Sequence, residues 1–193
     1  MNRRGQINTK KIVYLAILTA LVIALQFVSN ITGAALPVPI TLTLVPIVLS
    51  AALCDWFSGV WLGAVFGITV MLTGASEPFF TWNPFGTIVT VMVKGMLAGL
   101  AAGLIYKLLE NRNRYLAILL SGFAAPIVNT GIFILGCYLF FYESVAALAG
   151  GEHVFKFIIF AFAGINFLIE LLINVILAPT ILRLVNYKKA ENR

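Results

Sequence analysis

Residues 87–100 read TIVTVMVKGMLAGL. The stretch is apolar enough to sit in lipid, yet Lys94 stands near its middle. A charge near the bilayer centre is costly, so it faces the protein interior, pairs with another group or touches a substrate. The stretch therefore carries two expectations: the chain is a membrane protein, and its helices enclose something polar.

Composition agrees with the first. The chain has 193 residues, 61% of them hydrophobic and 10% charged, whereas soluble domains carry about 25% charged residues. Mean hydropathy is +1.02. A helical span needs roughly 20 apolar residues, which leaves room for about six spans and no separate soluble domain. The expected fold is an all-α membrane protein, one six-helix bundle over residues 1–193, with basic cytoplasmic tails at 1–10 and 186–193. The net charge of +6 does not point to nucleic acid, because the basic residues flank apolar runs and orientation explains them. Cys54 and Cys137 are expected near opposite faces as free thiols, and one histidine with two distant cysteines makes no zinc site. MNRRGQINTKK before IVYLAILTALVIALQFV imitates a signal peptide, but the apolar run exceeds the usual core. It is read as an uncleaved first span.

The spans are expected at Lys11–Val28, Thr41–Leu53, Val60–Leu72, Phe85–Tyr106, Tyr115–Phe141 and Val154–Leu184. Arg3, Arg4, Lys10 and Lys11 precede the first. Lys107, Arg112 and Arg114 lie between the fourth and fifth, and Arg183, Lys188, Lys189 and Arg193 close the chain. With six spans all of these fall on one side, which the positive-inside rule makes cytoplasmic. Only Lys94 and Lys156 escape the pattern. Small residues recur every fourth position: Ala16, Ala20 and Ala24 in span one, Gly59, Gly63 and Gly67 in span three, Gly95, Gly99 and Gly103 in span four. Such faces let helices approach closely in lipid. The glycine series are read as internal packing; the alanine series fits either packing or another subunit.

Catalytic patterns are missing. There is no HExxH, no GxSxG and no P-loop, and the acids are scattered. The expectation is a protein that is not an enzyme, with no metal, no cofactor and no ATPase engine of its own.

The polar residues within the spans are patterned. Asn83, Thr87, Thr90 and Lys94 share one face of span four, descending from the outer loop. Asn166, Glu170 and Asn174 share a face of span six, and Asn129 follows Pro126 in span five. By counting, Lys94, Asn129 and Glu170 fall at similar depth and outline a polar pocket reached from outside. A buried Lys94–Glu170 salt bridge is the plain structural alternative, and Asn83, Thr87 and Thr90 would equally serve as capping and back-bonding residues. Two outer segments look like lids. LPVPITLTLVP, with Thr41 counted among the candidate ligand contacts, favours extended backbone. EPFFTWNP offers Trp82 as a stacking surface, while Phe79 and Phe80 read as an interfacial aromatic belt.

The AxxxA series Ala16–Ala20–Ala24, the segments LPVPITLTLVPIVLSAAL and NPFGTIVTVMVKGMLAGL, the length and the six spans together resemble the substrate-binding S components of energy-coupling factor vitamin transporters. The resemblance covers Lys11 to Lys189. It implies a subunit of a bacterial or archaeal cell membrane that binds a vitamin from outside as transported substrate. It also implies docking, partly through small residues of helix one, onto a membrane coupling subunit driven by two cytoplasmic ATPases. A cationic Lys94 and several amides suit a small ligand with a carboxylate, with pantothenate the leading expectation. Riboflavin stays open, and a thiamine-type cation is disfavoured by the lysine. Outside transport, the alternatives are a structural membrane protein of a cell-envelope assembly with no small-molecule ligand, and a membrane enzyme with an unrecognised site.

Overall fold

The computed structural model describes residues 9–35, 42–151 and 153–191. Among these, all regular structure is helical: α1 (Thr9–Ala35), α2 (Leu44–Leu53), α3 (Trp56–Leu72), α4 (Glu77–Trp82), α5 (Pro84–Leu109), α6 (Arg114–Phe140), α7 (Tyr142–Ala149), α8 (Val154–Phe157), a π-helical segment (Ile158–Ala163) and α9 (Gly164–Glu191). The expected spans map in order onto α1, α2, α3, α5, α6 and the α8–α9 run. Four helices, α1, α5, α6 and α9, are long and apolar enough to cross a membrane. The other two are shorter. At about 1.5 Å per residue, the 10 residues of α2 and the 17 of α3 reach about 15 and 26 Å, against a hydrocarbon core of about 30 Å.

Side chains set the helix starts. Asp55 caps α3 by accepting from the Ser58 N–H at 2.8 Å, Asn83 caps α5 by accepting from Gly86 at 2.9 Å, and Asn113 caps α6 through Tyr115 and Leu116. Proline at the first position of α5 removes an N–H that has no helical partner there. Several ends differ from expectation: α3 starts at Trp56, four residues before Val60, and α5 runs three residues past Tyr106 to Leu109. Helix α1 runs on through Ser29 to Ala35, into a stretch read as connection. Helix α9 passes Leu184 to Glu191, so most of the expected C-terminal tail is helical. Lys188 is held there: its ammonium donates to the Leu53 carbonyl and lies 4.6 Å from the centre of the Tyr14 ring.

The two glycine series meet, as the packing reading expects. A Cβ added at Gly59 would sit 2.5 Å from the Gly99 carbonyl oxygen, one at Gly63 2.5 Å from the Gly95 carbonyl carbon, and one at Gly103 2.6 Å from the Trp56 Cα. Helices α3 and α5 thus run antiparallel with backbones in contact. Helix α1 lies at the edge. Leu18, Val22 and Gln26 turn inward, while Ala16, Ala20 and Ala24 are all exposed.

Candidate functional site

Contacts at small residues fix the register of the helices around Lys94. A Cβ at Gly136 of α6 would run into the Thr90 side chain, and one at Gly86 would meet Phe140 at 2.5 Å. Helix α6 therefore runs antiparallel to α5 with Phe133 beside Lys94. A Cβ at Gly122 would meet the Asn174 Cβ at 3.3 Å, which sets Glu170 near Pro126, about one turn below Asn129 in this register. Lys94, Asn129 and Glu170 thus descend in steps of about three residues (roughly 4.5 Å), where counting had set them at one level. The small residues at the contacts choose the offset, and composition does not reveal it.

The stripe on α5 divides in two. Asn83 spends its side-chain oxygen on the helix cap, and the Thr87 hydroxyl donates to the Asn83 carbonyl at 2.9 Å. Both behave as the capping and back-bonding alternative expects. Thr90 differs: it is buried, and its hydroxyl has no partner among the described residues. Below it, Asn129 is buried with its side-chain carbonyl oxygen also unpartnered. On α9, the Asn166 amide donates to Glu170 Oε1 at 3.4 Å, and the Asn174 amide donates to the Glu170 backbone carbonyl at 2.8 Å. Glu170 is 2% exposed. A buried polar atom without a partner costs about 1–3 kcal/mol, so the Thr90 hydroxyl and the Asn129 oxygen stand as unused hydrogen-bonding groups in the interior. Thr41 lies outside the described residues.

Half-buried Lys94 has an unexpected environment. Its ammonium stands 5.7 Å from the centre of the Phe66 ring on α3 and 5.3 Å from that of Phe133 on α6. Among the described residues no carboxylate lies within the 4.0 Å of an ion pair. Glu170 acts on the ammonium from further off. The direct salt bridge considered from the sequence is not formed.

On the α4 side of Lys94 the aromatic rings form a roof. Phe79 of α4 packs edge-on against Phe133 at 5.5 Å, Phe141 at 5.2 Å and Trp82 at 5.2 Å. Trp82 is half-buried and also approaches Phe141 at 6.3 Å. Phe79 is accordingly part of the roof and not of an interfacial belt. The reason is the short helix α4, which turns one face of EPFFTW back onto α6. Phe133 touches both roof and lysine.

Sequence reading missed Phe66, Phe133 and Phe141, which look like ordinary apolar residues of their helices. It also missed Gln26, buried on α1 with its side-chain oxygen unpartnered among the described residues. The signal for Gln26 was present: it continues the inward series of Leu18 and Val22 at helical spacing.

A family model described as "ECF transporter, substrate-specific component" matches residues 10–182. A curated relative, the "Pantothenic acid transporter PanT" of Lactococcus lactis subsp. cremoris (strain MG1363), is 25% identical over 183 residues, covering 88% of each chain. No solved structure matches significantly. With the family match spanning nearly the whole chain, this helical membrane protein belongs to the substrate-specific components of ECF transporters.

Proposed function

We propose that this chain is the pantothenate-binding subunit of its transporter, taking the vitamin from outside as transported substrate. The observation that carries the reading is Lys94: an ammonium deep between helices, faced by aromatic rings, with no carboxylate in ion-pair contact among the described residues. Pantothenate has one carboxylate, one amide, two hydroxyls and a branched apolar centre. The carboxylate matches Lys94, the polar groups match Thr90 and Asn129, with Asn166 and Glu170 nearby, and the apolar centre matches the Trp82–Phe79–Phe141 roof. The related transporter, named for the same vitamin, supports this choice over riboflavin.

The same reading assigns six membrane crossings with both ends in the cytoplasm, following the basic clusters. It assigns the exposed stripe Ala16, Ala20 and Ala24 to contact with a membrane coupling subunit driven by two ATPases.

Titration calorimetry of the purified protein, with pantothenate, riboflavin and thiamine in turn, tests the ligand. Tight binding of pantothenate alone is expected. Tight binding of riboflavin with no response to pantothenate would replace the assignment.

A further inference from the structure

A buried ammonium needs compensation, and its kind decides what the site can bind. A carboxylate at about 4 Å neutralises the charge by direct Coulomb attraction. An aromatic face attracts more weakly, through its quadrupole, and carries no net charge. Lys94 has the second kind of close neighbour on two sides, Phe66 and Phe133.

We propose that Phe66 and Phe133 form an aromatic cradle that holds Lys94 charged but not neutralised, and so determine the site's preference for a carboxylate over a neutral ligand. This rests on the reading of the site as one for an anionic vitamin. A lysine bound to a protein carboxylate would have to surrender that partner when ligand arrives. A lysine on rings surrenders much less, and the ligand's carboxylate is the first anion to reach it directly.

Both walls are fixed from outside the site. Phe66 is 3% exposed on α3, the helix held to α5 backbone to backbone by the glycine series. A Cβ at Gly95, one residue past Lys94, would meet the Phe66 ring at 3.2 Å, so ring and lysine share one close-packed crossing. Phe133 is held from above by Phe79 at 84° between ring planes. The cradle therefore aims the ammonium as well as keeping it company.

The test compares pantothenate with pantothenol, in which an alcohol replaces the carboxylate, on wild type, Phe66→Leu, Phe133→Leu and Phe133→Tyr. Leucine keeps an apolar side chain and removes the ring; tyrosine keeps the ring. Each leucine variant is expected to lose about tenfold to thirtyfold in affinity for pantothenate and much less for pantothenol, with Phe133→Tyr close to wild type. Equal losses for both ligands mean that the rings only shape the pocket, and overturn the proposal.

A ligand-free cycle keeps the cradle separable from the choice of vitamin. Melting curves are taken for wild type, Phe133→Leu, Lys94→Met and the double variant. In the cradle, Phe133→Leu destabilises the wild type more than it destabilises Lys94→Met. Additive losses would dismiss the contact even if pantothenate binds, whereas coupling without pantothenate binding would keep the cradle and dismiss the vitamin. Phe66→Leu supplies the same cycle should Phe133→Leu fail to fold.

Discussion

Asp55 caps α3 and pairs with Lys11 of α1 through the same carboxylate, at 2.6 Å. Burial works to raise its pKa, but hydrogen bonds from Lys11 and Ser58 outweigh this and hold it below its ordinary 3.8. A folded value below the unfolded one means stability that is present above about pH 4 and lost as pH falls through the folded value. Both side chains are more than a third exposed, so the pair is worth at most about 1 kcal/mol after solvent screening. Asp55→Asn keeps an acceptor for the cap and removes the charge. Its melting temperature is expected a few degrees below wild type near neutral pH, in the range of about 2–4 °C per kcal/mol for a chain this long. That gap should narrow towards pH 3, and a constant gap would remove the ion pair as its cause. Beside it, burial raises the pKa of the free Cys54 thiol, which keeps it a poor nucleophile. Individual residues were legible where chemistry is local: Asn83 precedes a proline and acts as the cap that was one of its two readings. Phe133 was not legible, because its role depends on what α5 and α4 bring to it.

At the scale of elements, spacing was the reliable guide. Glycine every fourth position in two helices announced a close approach, and α3 and α5 meet along both series. Gly63→Ala is expected to destabilise the protein by about 1–3 kcal/mol, the usual range for overpacking, because backbone atoms of Gly95 and Met96 stand within 3.0 Å of the new Cβ. Gly131→Ala is the control. A Cβ there meets nothing within 4 Å, and alanine is the better helix former by up to about 1 kcal/mol. Thermal unfolding of both variants in detergent checks this, and a neutral Gly63→Ala would show that the seam can open without loss. Element ends were less legible. Helix α1 outran its expected end by seven residues, because ITGAA carries no proline or charge to stop it, whereas the prolines come only at 37 and 39.

The whole molecule was read from charge and hydropathy, which fix order and class but not depth. The helices follow the expected order; of those described, α1, α5, α6 and α9 are long and apolar enough to cross a membrane, whereas α2 and α3 are short. The stepped descent from Lys94 to Glu170 required contacts between helices. Orientation and docking are tested together on the intact transporter. A cysteine at Ser144 is expected to label from outside and one at Asn113 not. Ala20→Trp is expected to leave pantothenate binding intact in the purified subunit while lowering uptake by cells. Failure of that variant to fold would return the alanine stripe to internal packing, and outside labelling at Asn113 would invert the topology.

The seam between α3 and α5 also bears on heredity. Every glycine codon begins with GG, and a single-nucleotide missense change gives an amino acid with a Cβ. No such change at Gly59, Gly63, Gly95 or Gly99 avoids placing an atom against the facing backbone. The gene is therefore fragile along this seam, and random mutagenesis should disable transport there by loss of folded protein.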